Sequence, residues 1–437
     1  MSFKHSVQRP VGRRTFLQGL SAATLGALAR RGFYPNLSAT TTSDVYVVRD
    51  ISAPAPYSAD AVPGQADLPI KQYLPLVFSG PSNRHPGVES LLALLGRNGI
   101  KFYRHGATDA LSGPGGLIAS DDVVLIKVNG QWKYRGATNS DVVRGVIQRI
   151  LDHPGGFTGE VVIFENGQGR GSLHCDQSGG YPDGSVQANA ENPAHSFAYL
   201  ANTVFQASGR VSAFLLDPIR STLISDIDDH TTNGYRRFNP HPTSQSWNIS
   251  YPCFTTAGGH RVELKAGLWT GAGHDPNKLK LINMPVLKTH GGCGVTGALK
   301  LFYGVVSMTY SFGGYHYGDI GKVLGQMMAH VRAPDLNIMD CIWISQGALG
   351  GYPVSATWRQ NTLLAGLDPV ALDYWASKNV MYPVSHSANH NPDDPSHYTD
   401  SNLSQYLDQA VAEINSAGGL RGQLVTRQES AIAVHYA

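Results

Sequence analysis

The stretch "DDVVLIKVNGQWKYRGATNSDVVRGVIQRILDHPGGFTGEVVIFENGQGRG", residues 121–171, constrains the fold more than any other. It holds two short, unbroken apolar runs, each ending in polar residues and glycine, with an amphipathic helical pattern between them. Unbroken apolar runs of this length suit strands covered on both faces, as parallel strands are. Asn139 or Ser140 is placed to cap the helix, and Pro154 with Gly155 ends it. Strand, helix and strand in this order make a βαβ unit with a right-handed crossover.

The unit recurs along the chain. "PAHSFAYLANTVFQASG" reads as a helix and "VSAFLLDP" as a strand. "KLKLINMPVLK" is a strand, "GVTGALKLFYGVV" a helix, and "DLNIMDCIWIS" a strand. "TLLAGLDPVALDYWASKNVM" is a strand followed by a helix opened by Pro369 and capped by Asp368. The alternation predicts an α/β fold: a mostly parallel, doubly wound sheet with helices on both faces. Residues 218–278 lose periodicity, keep only "HRVELKAG" as a hairpin strand, and read as an irregular insertion. Residues 32–70, rich in Ser, Thr, Ala and Pro, read as a linker or N-terminal arm before an α/β domain over 71–437. An apolar fraction of 42% can fill one large core, and 49 glycines with 25 prolines supply its loops.

The opening "RPVGRRTFLQGLSAATLGALARR" resembles a twin-arginine export signal, with Arg13 and Arg14 followed by Thr15, Phe16 and Leu17. Its apolar run is shorter than the roughly 20 residues a bilayer-spanning helix needs, so no stable membrane span is expected. Residues 1–31 are the expected signal peptide, which implies a periplasmic or extracellular protein and the twin-arginine translocase as a transient partner. That route carries folded proteins, often with a cofactor already bound. A net charge of +2, from 34 basic and 32 acidic residues, argues against nucleic acid as a partner. Cys175, Cys253, Cys293 and Cys341 form no C-x-x-C pair, so no iron–sulfur cluster is expected. An exported chain could form one or two disulfides among them, and Cys293 and Cys341 lie beside strand ends where a ligand or redox role stays open.

Ligands of open α/β sheets bind beyond the carboxyl ends of the strands. Those ends carry Lys127 and Asn129; Glu165 and Asn166; Asn283, Lys288, Thr289 and His290; and Asp340. Gly291, Gly292 and Gly294 allow close backbone approach, and a helix beginning near Val295 or Thr296 would aim free amides at an anion. Lys288 and Lys300 would add positive charge, making a carboxylate or phosphate the expected occupant. The loop is not a Walker loop, because its lysine falls inside the helix. His290 is the expected acid–base residue, with Lys288 and Lys300 beside it.

"KVNG", "TNSDVV", "INMPVLKTH", "GVTGALKLFYG", "NIMDCIWI" and "LLAGLDPVALD" resemble, in this order, the domain-of-unknown-function 362 family over residues 121–381. Some members of that family carry ferredoxin-like cysteine clusters, which this chain lacks. The segment from His290 onward is more distantly similar to nickel-pincer lactate racemases. That likeness implies a nickel-pincer nucleotide, His290 as base, Lys300 as tether and His316 as metal ligand, with His174 following the earlier strand where a second histidine would be expected. Three readings stand: an exported enzyme acting on an anionic substrate or using an anionic cofactor, an exported anion-binding protein without catalysis, and a nickel-pincer-dependent 2-hydroxy acid racemase or epimerase.

Two further clusters carry metal-ligating types. Asp226, Asp228, Asp229, His230 and His241 fall in the insertion and read as a polar loop. His386, His390, Asp393 and Asp394 lie among prolines that deny them a helix, so an exposed loop is expected. Asp373 could reach a lysine of the pocket or form a structural ion pair.

Overall fold

The structure is a computed structural model that describes residues 42–51, 83–178, 181–182, 185–239, 249–307, 309–310, 319–347, 349–352, 354–394 and 403–437. The twin-arginine segment, His241 and His316 lie outside the described residues. The principal strands are β1 (Ser43–Val48), β2 (Val123–Val128), β3 (Glu160–Glu165), β4 (Val211–Leu215), β5 (Gly234–Phe238), β6 (Ile249–Thr255), β7 (Arg261–Glu263), β8 (Gly267–Trp269), β9 (His274–Asp275), β10 (Leu279–Met284), β11 (Val286–His290), β12 (Gly294–Thr296), β13 (Leu336–Ser345), β14 (Thr357–Gly366) and β15 (Ile432–Tyr436). The helices used below are α1 (Pro86–Arg97), α2 (Ser140–Leu151), α3 (Ala298–Phe302), α4 (Ile320–Gln326), α5 (Pro369–Ala376) and α6 (Leu403–Ser416).

The main sheet has ten strands, eight of them in the order β15-β1-β14-β13-β10-β2-β3-β4. From β13 to β4 all neighbours are parallel, while β14 runs antiparallel to both β13 and β1. The fold is therefore α/β with a large, mostly parallel mixed sheet, as the alternating pattern predicts. The two faces can be told apart on β14. Leu363 lies beside Gly87 of α1, whereas Leu364 joins the cluster containing Val370 and Leu372 of α5. Consecutive strand residues point to opposite faces, so helices cover both. The central strands are the most buried: every residue of β2, β3, β10 and β13 is buried.

Local signals hold where the chain can satisfy them locally. Asn139 caps α2, accepting from the amides of Asp141 and Val142, and Asp368 caps α5 through Val370 and Ala371. Three readings change. Ser43–Val48, inside the stretch read as a linker, is strand β1, flanked by β14 and β15. The insertion holds an ordered antiparallel sheet, β9-β8-β7-β6-β5, whose shortest strands have two or three residues. The helix expected from residue 295 or 296 begins at Ala298, because 294–296 pair as β12 with β11. Among the described residues, no helix is long and apolar enough to cross a membrane, and Cys175, Cys253, Cys293 and Cys341 are all buried free thiols.

Pro285 divides one long strand into β10 and β11. β10 pairs with the start of β13 (Asn283 with Asn337), and β11 pairs further along it (Val286 with Asp340, Lys288 with Ser345). The result carries Lys288 past the end of β2 to the same edge as Lys127 and Glu165.

Candidate active site at the carboxyl ends of the strands

Lys127, the fifth residue of β2, is fully buried and paired in register with Phe164, which brings it beside Glu165. Its ammonium donates to Glu165 Oε1 at 2.6 Å and to the Val128 carbonyl at 2.8 Å. Glu165 also accepts from the amides of Gly130 at 2.5 Å and Asn166 at 2.8 Å. Gly304 closes over this pair: a Cβ there would sit 2.9 Å from Glu165 Oε1 and 3.0 Å from Lys127 Nζ. Lys127 is thus committed inside the fold rather than free to hold a ligand, as the strand-end pattern suggested.

Lys288 is the second buried lysine, and its ammonium donates to the Gly136 carbonyl at 2.5 Å. The Trp132 ring centroid lies 5.7 Å away. Burial, with the charges of Lys300 and Lys127 added and that of Glu165 opposing, pushes its pKa down to about 7. Lys300, from α3, is partly buried, with its ammonium 4.6 Å from the Tyr303 ring centroid. Its pKa is also lowered, first by burial, with Lys127 adding to the effect and Cys293 and Glu165 opposing it. Among the described residues, Lys300 has no carboxylate partner and no hydrogen-bond acceptor. Three lysines from three elements therefore act on one another around a single glutamate.

The edge carries further cations that strand-end reasoning missed. Arg135 is buried, stacks 3.3 Å from the Trp343 ring centroid and donates to Thr357 Oγ1 at 2.5 Å. Arg359 lies 5.9 Å from the same ring. Ser345 faces both Lys288 and Thr357 in register, so these groups border the lysines. The signal was present in "NGQWKYRG", which directly follows β2. Asp217, just beyond β4, accepts from the amides of Gly167, Gly169 and Gly171 and shapes the glycine turn after β3.

Several residues assigned to ligand binding are structural. Asn129 Oδ1 accepts from the Val286 amide at 2.9 Å, tying β2 to the Pro285 kink. Asn283 donates to Ala298 O and Asn337 Oδ1 inside the core. Asn166 donates to the Tyr235 hydroxyl and the Val306 carbonyl, joining β3 to the insertion sheet. Asp340 accepts from the Asn139 and Ile342 amides, and burial raises its pKa to about 7. Asp373 meets no lysine. Its two oxygens accept from the amides of Ala298 at 2.5 Å and Leu299 at 3.0 Å, and burial raises its pKa to about 7. The amides expected to attract an anion already hold this carboxylate, so the helix terminus is no anion site.

The glycine segment is likewise the tip of the β11–β12 hairpin rather than a cradle. Gly294 (φ 75°) pairs with His290, and a Cβ there would meet the Asn389 carbonyl at 2.4 Å. Gly292 donates to His290 Nδ1 at 3.0 Å, and a Cβ on Gly291 would meet nothing within 4 Å. Thr296 is buried opposite Lys288 in the hairpin. Thr289, on the strand face opposite Lys288 and His290, lies 2.9 Å from His390 Nε2, whose Nδ1 lies 2.8 Å from Ser385 Oγ. His390 is buried, not exposed as its proline-rich surroundings suggested, and burial lowers its pKa to about 4. Of the residues implied by the nickel-pincer likeness, His174 is exposed and His316 lies outside the described residues.

Fold and site together define an α/β protein with a cationic, lysine-rich site where parallel strands end. Residues 279–378 match the family model described as Domain of unknown function (DUF362). That span runs from β10 into the turn after α5 and includes Lys288, His290, Lys300, Asp340 and Asp373, but not Lys127 or Glu165. No curated protein and no solved structure matches the chain.

Proposed function

We propose that the chain is an enzyme that binds a carboxylate- or phosphate-bearing substrate against Lys300 and Lys288, with Lys288 as the acid–base group. One observation carries this reading: Lys300 has no ion-pair or hydrogen-bond partner among the described residues, while burial holds the neighbouring Lys288 down at a pKa of about 7. A cation held away from water without a partner is costly, and an anionic ligand removes that cost. An amine that titrates near neutrality exchanges protons at working pH, which an ordinary lysine does not. Lys288 displaces His290 as the preferred acid–base residue, because His290 sits at the hairpin tip with Nδ1 engaged by Gly292.

The test is thermal stabilisation and calorimetric titration with inorganic phosphate and a panel of small mono- and dicarboxylates. At least one anion raises the melting temperature of the wild type, and Lys300→Met removes most of that rise. The absence of any response in the wild type, or an equal response in Lys300→Met, overturns the proposal.

A pH dependence follows from Lys288. Its protonated form attracts the anion, so affinity falls as pH rises through about 7. For one linked proton the loss between pH 6 and pH 8 is about tenfold. Lys288→Met flattens that profile; a profile unchanged in the variant assigns the titration elsewhere.

Export belongs to the same proposal and rests on Arg13 and Arg14 with the residues that follow them. Replacing both arginines by lysine is expected to retain the protein in the cytoplasm of its host, read by cell fractionation.

A further inference from the structure

We propose that His230, Glu263 and His274 bind one divalent transition-metal ion of the zinc class, at a site in the insertion separate from the lysine cluster. One ligand atom from each residue lies within 4.8 Å of the other two. Glu263 Oε2 and His274 Nε2 are 3.5 Å apart. Two ligands with bonds of about 2.1 Å to a tetrahedral ion stand roughly 3.4 Å apart, so the observed gap is that of ligands sharing a metal. It is long for a direct hydrogen bond, and His274 Nε2 is indeed a buried nitrogen without a hydrogen-bond partner. An unpartnered, buried imidazole nitrogen aimed at a carboxylate is the independent observation that points to a ligand.

The three side chains are held before any ion arrives. Glu263 ends β7 and His274 begins β9, with β8 between them. The His230 ring stacks on Trp269 of β8, centroids 3.6 Å apart with planes at 17°, and meets the His274 ring edge-on at 5.3 Å. Arg236 fastens the loop that carries His230, donating to the carbonyls of Asp226, Ile227 and Asp229 at 2.8–3.0 Å. Its Nε also lies 3.3 Å from Glu263 Oε2. Arg236 thus adds a counter-charge beside the carboxylate oxygen that faces His274, without a hydrogen bond at its Nε. Asp229, a ligand candidate by sequence, is not part of this cluster; its Oδ1 accepts from the amides of Thr231 and Thr232 and from the Thr231 hydroxyl.

Two imidazoles and one carboxylate suit zinc and its neighbours rather than calcium or magnesium, which take oxygen ligands. Three protein ligands leave at least one coordination position for water or a substrate oxygen. The reading draws nothing from the lysine site, and either can fail alone.

Full-length protein stripped with a chelator and titrated with Zn²⁺ tests it by calorimetry and elemental analysis. The wild type takes up about one equivalent at micromolar concentration or below and melts at a higher temperature once loaded. His274→Ala and Glu263→Gln lose that uptake, while Asp226→Asn keeps it. His230→Gln, altered in the loop and not in the sheet, loses at least tenfold in affinity with an unchanged apo melting temperature. Substitution by Co²⁺ gives visible bands of a four- or five-coordinate ion in the wild type and not in His274→Ala. No stoichiometric uptake by the wild type, or full uptake by His274→Ala and His230→Gln, overturns the proposal.

Discussion

Replacing Glu165 by Gln is expected to cost about 3–5 kcal/mol of stability, because it removes the negative charge from the fully buried Lys127. The amide cannot do what the carboxylate does. Glu165 accepts from Lys127, Gly130 and Asn166 together, whereas a glutamine turns one of its ends into a donor facing other donors. The ammonium cannot swing to water either, since Gly304 leaves no space over it. Thermal melting checks this, with an expected fall of roughly 5 °C or more. Adding Lys127→Met to Glu165→Gln should restore part of the loss, because the uncompensated charge is gone even though one of the two amides remains without an acceptor. A single variant as stable as the wild type would show that the pair is not under electrostatic load.

The second large effect is expected at Asp373. Asp373→Ala strips two buried amides at the start of α3, Ala298 and Leu299, of their acceptor, at a cost of about 3 kcal/mol. Asp373→Asn keeps one acceptor and should fall between the wild type and the alanine variant. Because α3 carries Lys300, the alanine variant is also expected to weaken anion binding more than its loss of stability explains. Chemical denaturation and the anion titration, run on the same preparations, separate the two effects. An anion affinity unaltered in Asp373→Ala would mean that α3 needs no such support to present its lysine.

The framework was legible in the sequence wherever its cause is local. Buried parallel strands require unbroken apolar runs, so β2, β3, β10 and β13 stood out, and the caps Asn139 and Asp368 could be read from their position before a helical pattern. β1 was hidden because "SDVYVV" is short and sits in a stretch whose composition suggests a linker. Part of the insertion sheet was hidden for a related reason: its strands β7, β8 and β9, of two or three residues, complete no period.

The site divides in the same way. Strand-end position pointed to Lys127 and Lys288, and the glycine loop with its following helix to Lys300; all three act on one another electrostatically. What each lysine faces did not follow. Asp373 reaches its amides from 75 residues away, and Gly136 meets Lys288 across 152 residues. The histidines and glutamate of the insertion lie on a loop and two short strands, so no spacing rule joins them.

The carboxylate of Asp373 stands where an incoming anion was expected to complete the helix, so α3 is finished before any ligand arrives. Loading the proposed anion site would then consume none of its binding energy in building secondary structure. Occupancy should leave the hydrogen-exchange protection of segment 286–302 nearly as it is in the empty protein.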